Sequence, residues 1–411
     1  REGFTGFTVR AGSAFEALHQ EATGIPKHSD ATLPVTKSSA DRSLSAAKKR
    51  NWFLQTRTVN TTPLPIPFLV RMEARAVAER SETKPGSKKM PVNVKSMGLD
   101  FETGLSEEKW RTRRIRPRHR LELFFYKTLQ RWGEQASEES LIRLRKLLAF
   151  FLYHSGLRRN VVETNLAWTY PELKPRRHRR IARGSYDWGV RFALDVIRMG
   201  SLQGRIAEWS RFENLELLDE ALEKKRGVLL IGAHLGNWEV LCPALSEQGY
   251  STSMYVGAQT NPLTDELQNE TRRKWCIHTI GKGKKAAMQV WDALKENRAV
   301  GMLIDQDERK SGVFVDFFGK AASTNTGAAA FHLMHKSPIL LFSCPYSMKR
   351  VKIRFQRLMF QSSGNGEQDL RELTQQIVSG LELMIRRHPE QYFWMHRRWR
   401  TRPTGDSSTS Y

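Results

Sequence analysis

Residues 227–239 read GVLLIGAHLGNWE, and the fold is decided here. An apolar run this short, opened by Gly227 and running into polar residues at His234, predicts a buried strand. A second run, AVGMLI at 299–304, ends the same way in Asp305, Gln306 and Asp307. Around these two, residues 252–256, 313–318 and 339–344 predict further strands. Residues 238–248, 264–275, 284–296, 326–335 and 367–387 predict helices. Strands alternating with helices in this order predict an α/β fold, with a mainly parallel central sheet flanked by helices.

Upstream the character is different. Residues 1–96 sustain no period of 2 or 3.6 and predict a disordered extension, or a reading carried upstream of a start at Met97. Residues 97–210 predict a basic, amphipathic helical layer that docks on a membrane. Leu121, Leu123, Phe124, Phe125, Leu129 and Trp132 form one apolar stripe. Ser137 followed by Glu138 and Glu139 opens a second helix, with anions near its N-terminal dipole. That helix sets Leu141, Leu144, Leu148 and Phe151 against Arg143, Arg145 and Lys146. The pattern suits an interfacial membrane helix and a core helix of a soluble domain equally. A second basic block follows at 174–183. Residues 211–403 predict the catalytic α/β domain and 404–411 a flexible tail.

Composition narrows the classes. Hydrophobic residues make up 39% of the 411, with 11 Trp and 20 Phe, which excludes a wholly disordered chain. The formal net charge is +24, with the basic surplus spread over both the first 120 residues and the rest. Such a field draws in nucleic acid, anionic lipid or an acidic protein without choosing among them. No run of 18 apolar residues occurs; the longest candidate, 147–153, has seven. Cys242, Cys276 and Cys344 stand far apart, which predicts small buried apolar residues in a reducing compartment and no disulfide framework.

The chemistry gathers at strand ends, where open α/β sheets bind ligands. If both strands are parallel, His234 and Asp305 share one edge of the sheet. Gly236 permits a tight turn after His234, and Asn237 favours a helix start. Glu239 then falls in the first helical turn, where a carboxylate can accept the His234 N–H and leave the other ring nitrogen free as a base. The same residues also fit a packed polar pair. No metal or nucleotide motif stands out: residues 281–285 lack the spacing of a phosphate-binding loop.

HLGNWE resembles the H-x4-E motif of the bacterial lipid A biosynthesis acyltransferases, the late enzymes that add secondary acyl chains. The likeness continues through Asn165-Leu166, Tyr170-Pro171-Glu172, Asn261-Pro262-Leu263 with Arg272, and Asp305-Gln306. It runs on through residues 312–319 with Thr324 and Gly327, and closes in the most specific stretch, 389–403. It covers about residues 120–403 in order. The resemblance implies transfer of a fatty acyl group from acyl carrier protein to a hydroxyl of a lipid A precursor, at the cytoplasmic face of the inner membrane. It implies His234 as general base, Glu239 as its orienting partner, and direct attack with no covalent acyl-enzyme and no cofactor or metal. Arg272 is expected to bind a glycolipid phosphate or steady the oxyanion, with Arg273 as the competing candidate. Gly236, Asn237, Asp305 and Gln306 are expected to shape the site. His396, Arg397 and Arg398 are expected either to bind phosphate or to lie as surface cations beside buried aromatics. Anionic inner-membrane lipids are the remaining implied partner. Asp316 departs from the family, which commonly has proline before the Phe-Phe-Gly. Three other readings stand beside this one: the same chemistry on another glycolipid or phospholipid, a basic nucleic-acid-binding protein, and an inactive scaffold that keeps the fold for membrane binding.

Overall fold

A computed structural model describes residues 114–283, 285–309 and 311–405. The expected N-terminal extension at 1–96 lies outside the described residues, as does nearly all of the tail. Helices come first: α1 (Pro117–Gln135), α2 (Glu138–His154), α3 (Arg159–Thr169) and α4 (Pro175–Ile197). Ser137 caps α2 by accepting from the Ser140 N–H, with Glu138 and Glu139 in the first turn, as the sequence leads one to expect. After a short α5 (Ile206–Trp209), the chain enters the sheet with β1 (Ser210–Glu213), followed by α6 (Glu216–Leu222) and β2 (Val228–Gly232). There follow α7 (Leu241–Glu247), β3 (Thr252–Val256), α8 (Pro262–Lys274), β4 (His278–Gly281), α9 (Ala286–Lys295) and β5 (Ala299–Leu303). A hairpin of β6 (Val313–Phe317) and β7 (Lys320–Thr324) precedes α10 (Gly327–His335), β8 (Ile339–Ser343), β9 (Tyr346–Ser347), β10 (Arg350–Arg357) and α11 (Gly366–Arg387).

The main sheet runs β1-β10-β8-β2-β5-β3-β4. The five strands from β8 to β4 are parallel, and β10 turns antiparallel against β8. Strand β2 is wholly buried because helices cover both faces of this parallel core, which is why it reads as an unbroken apolar run. Its alternate residues feed two cores. Leu229 and Ile231 pack towards α9, α10 and α11 with Val300, Leu341 and Ile377. Val228 and Leu230 pack on the other face with Leu241, Leu245 and Phe355.

The structure qualifies three expectations. The strand expected at 313–318 forms as β6 but lies outside the main sheet: among the described residues it pairs with β7 alone, as a separate antiparallel hairpin. Its turn residues Phe318 and Gly319 both have positive φ, the mirror-image turn that matches strand twist. Asp316, the departure from the family's proline, supports that turn by accepting the Gly319 N–H at 2.9 Å. Second, the helical layer is not separable near residue 210. Helix α4 puts Tyr186 into one core and Trp188 into the other, and Ser185 donates to the Tyr392 carbonyl at 3.1 Å. Third, Cys242 and Cys344 are buried as expected, but Cys276 is exposed in the turn after α8.

Candidate active site

Strand register builds the centre. Gly232 lies opposite Leu303 in the parallel β2–β5 pair, so two residues further on His234 faces Asp305 from the same side of the sheet. His234 Nδ1 is 2.7 Å from Asp305 Oδ1, and the His234 backbone N–H donates to Oδ2 at 3.0 Å. This double grip fixes ring position and leaves Nε2 towards the cavity, with the Gln306 amide nitrogen 3.3 Å away. Burial alone would raise the Asp305 carboxyl, but the facing imidazole and its hydrogen bonds hold it at about 2. Trp238 packs edge-on to the imidazole at 4.7 Å, and Phe393 lies beyond it at 6.2 Å.

The loop that carries His234 is clamped through its backbone. Gly236 N–H donates to the Gln391 carbonyl and Asn237 N–H to the Cys344 carbonyl, while the Phe393 N–H donates to the His234 carbonyl. Gly236 has φ +66°, and a Cβ there would lie 1.9 Å from the Cys344 oxygen, so only glycine fits. Asn237 is fully buried beneath this turn.

Glu239 does not orient His234. The Gly236 turn carries it away, and both its carboxylate oxygens accept from Arg272 Nη2 at 3.3 Å. Arg272 also donates to Asn269 at 3.0 Å and is only 8% exposed. It therefore sits as a buried partner of Glu239 and not as a free cation. Arg273 pairs on the surface with Glu266 at 2.7 Å, so of the two arginines Arg272 belongs to the site. Tyr126 of α1 closes the same corner; burial, then the Glu239 charge, pushes its hydroxyl up to about 12. Sequence reasoning missed Tyr126, because within an apolar stripe nothing distinguishes an inward tyrosine.

These groups line the mouth of a cavity of about 570 Å³, within the range of small-molecule sites. Its walls turn apolar inward, through Phe192, Val196, Leu241, Met254 and Phe342. Cys242 is there too, but burial pushes its thiol up to about 12, so it is no nucleophile. Among the described residues, no three His, Cys, Asp or Glu side chains gather where a metal ion could sit.

The closing segment behaves differently from expectation. Arg398 is 2% exposed and donates to the Ser323 carbonyl and Thr324 hydroxyl, tying the β6–β7 hairpin down instead of facing a ligand. Arg397 is exposed and does not line the cavity. His396 Nε2 accepts the Asp307 N–H at 3.0 Å, and burial lowers its pKa to about 4. It is thus a neutral acceptor and no phosphate cation. Asn165 holds this segment by donating to the Trp394 and His396 carbonyls at 2.7 and 2.8 Å.

His396 carries a pH consequence. A histidine whose folded pKa lies below 6.5 takes up its proton more readily when unfolded. Its contribution is therefore full above pH 6.5 and lost as pH falls towards 4, about 3 kcal/mol in all. Denaturant midpoints taken across that window are expected to fall, and His396→Gln to flatten the slope. An unaltered slope in the variant would assign the acid sensitivity elsewhere.

A histidine–aspartate pair thus stands at the ends of parallel strands, with the histidine on a cavity whose lining includes Phe192, Val196, Leu241, Met254 and Phe342. The chain belongs to the bacterial lipid A biosynthesis acyltransferase family, whose model matches residues 116–401. It is 28% identical over 253 residues to the lipid A biosynthesis lauroyltransferase of Escherichia coli, covering 60% of this chain and 81% of that protein. It is 25% identical over 257 residues to the palmitoleoyltransferase of the same organism, with 61% and 81% covered. A phosphatidylinositol mannoside acyltransferase of Mycolicibacterium smegmatis is 23% identical over 224 residues, covering 53% of this chain and 72% of that protein.

Proposed function

We propose that this acyltransferase moves a fatty acyl group from the thioester of acyl carrier protein to a hydroxyl of a lipid A precursor, with His234 as general base. The observation that carries the reading is the His234–Asp305 pair standing at the mouth of the cavity. With Nδ1–H donated to Asp305, the Nε2 lone pair takes the acceptor's proton as its oxygen attacks the thioester carbonyl. The new C–O bond forms, the tetrahedral centre collapses with loss of the C–S bond, and the proton on Nε2 passes to the departing thiolate. Arg272, held by Glu239, lends positive field to the developing oxyanion. The donor's carrier protein and the phosphorylated acceptor are both anionic, which suits a chain of net charge +24 without a nucleic-acid partner.

The reading extends to a membrane surface, at the cytoplasmic face of the inner membrane. Helices α1 and α2 leave Phe124, Phe125, Phe150 and Phe151 each more than half exposed, beside Leu121 and Leu147. Among the described residues, no helix is long and apolar enough to cross a bilayer; the contact proposed is through these faces and the arginines around them. Flotation with phosphatidylglycerol vesicles is expected to carry the unmodified protein and to lose a Phe124→Asp, Phe151→Asp double variant. Equal flotation of both would remove these helices from the membrane contact.

The reaction itself is tested with purified protein, dodecanoyl- and tetradecanoyl-acyl carrier protein and a tetra-acylated lipid A precursor. Mass spectrometry is expected to find one added acyl chain. No product from folded, vesicle-bound protein would overturn the acceptor. The likeness to the mycobacterial enzyme makes a phosphatidylinositol mannoside the second acceptor to offer.

A further inference from the structure

Glycine inside a buried central strand costs about 0.5–1 kcal/mol relative to alanine and often marks a close approach by something else. Two glycines lie on the cavity side of adjacent strands, Gly232 in β2 and Gly301 in β5. The first has a packing reason: a Cβ on Gly232 would fall 2.4 Å from the Phe342 ring, which lies over it. Gly301 has no such reason. Its nearest neighbours to an added Cβ are Cys242 Sγ at 3.6 Å, the Ser253 oxygen at 3.8 Å and Leu241 Cδ2 at 4.0 Å, all ordinary contact distances. The neighbours therefore leave room for a methyl group that the sequence omits, and Gly301 lines the cavity.

We propose that Gly301 sets the length of the acyl chain this enzyme accepts, by leaving the inner end of the cavity open to the chain's terminal carbons. The proposal rests on the acyl-transfer reading above. Gly301, Leu303 and Asp305 alternate on one side of the chain, so Gly301 lies directly inward from the aspartate that holds His234. Four residues of strand place it about 13 Å below that aspartate. A thioester carbonyl held at His234 thus sends its hydrocarbon tail past Trp238 and Leu303 towards Gly301, where Cys242 and Met254 form the walls. A branched side chain at 301 would occupy the space of the last methylenes and leave the mouth untouched. Cys242, neutral at working pH, is then a wall of suitable size and polarity for hydrocarbon.

The test offers decanoyl-, dodecanoyl-, tetradecanoyl- and hexadecanoyl-acyl carrier protein in competition to unmodified protein and to Gly301→Val and Gly301→Leu. Each excluded methylene is expected to cost about tenfold or more in kcat/KM, so the variants shift preference to shorter donors while keeping transfer of the shortest. An equal fall for every donor, or an unchanged preference, would overturn the proposal. Free fatty acids of the same lengths give a readout independent of transfer. Thermal stabilisation should grow with chain length up to a limit, and that limit should be shorter in the variants. A common limit in all proteins counts against Gly301. If unmodified protein transfers no acyl group from any donor, the acyl-transfer reading falls, and the fatty-acid series still decides what Gly301 does. Should the larger substitutions fail to fold, Gly301→Ala is read in the same series.

Discussion

His234→Ala is expected to lower kcat/KM for acyl transfer by about 10³–10⁴-fold in a protein that still folds. On the general-base reading proposed above, the loss is that of a group held at three points: Nδ1 and the backbone N–H on Asp305, and the ring against Trp238. The loop keeps its backbone bonds to Gln391, Phe393 and Cys344 in the alanine variant, while the buried Asp305 carboxylate loses its imidazole partner and keeps the backbone N–H of residue 234, so a fall in melting temperature accompanies the kinetic loss. Transfer at the unmodified rate in a folded His234→Ala protein would sink the general-base mechanism.

Asp305→Asn is expected to cost on the order of 10³-fold in kcat. The amide retains the shape of the carboxylate. It removes the anion that accepts the Nδ1 proton, and it can present an N–H where an acceptor is needed, which favours the tautomer with Nε2 already protonated. Glu239→Gln acts by a different route. It leaves Arg272 buried beside a weaker partner, so it lowers stability as well as rate, with a smaller kinetic loss of about 10–10²-fold. Kinetics paired with denaturation of both variants separate the two carboxylates. An Asp305→Asn enzyme with nearly unchanged kcat would return the orienting role to Glu239.

That division of labour was only half legible in the sequence. The apolar runs at 227–233 and 299–304 announce parallel strands because both faces of such strands are covered. Their polar ends locate His234 and Asp305 on one edge. Sequence proximity then favours Glu239 as the partner, since it is five residues away. What decides the matter is register, Gly232 opposite Leu303, which no local pattern encodes. Strand β10 was missed for a related reason. Val351, Ile353 and Phe355 alternate inward as a strand should, but Arg350, Lys352, Arg354 and Arg357 between and after them mask the signal. Arg398 shows the limit from the other side. An arginine in a basic, aromatic run looks like a surface cation, and only the hairpin carbonyl and hydroxyl it reaches reveal it as an internal strut. The basic composition was legible throughout and never specific, because charge selects partners by sign alone.

The clamp on the His234 loop has a consequence for how the protein comes into being. Gly236 is held by Gln391, the His234 carbonyl by Phe393, and Leu235 bridges to Tyr392, contacts that span more than 150 residues of chain. A ribosome making this polypeptide completes β2 and the histidine long before the residues that lock them in place have been added. Until the segment around Trp394 emerges and threads back beside Asn165, the His234 loop lacks this backbone clamp and has Asp305, Trp238 and the Cys344 carbonyl to hold it. Contacts this distant in sequence close slowly. A nascent chain released before residues 391–394 are made therefore carries His234 on a loop whose backbone partners in that segment are still missing.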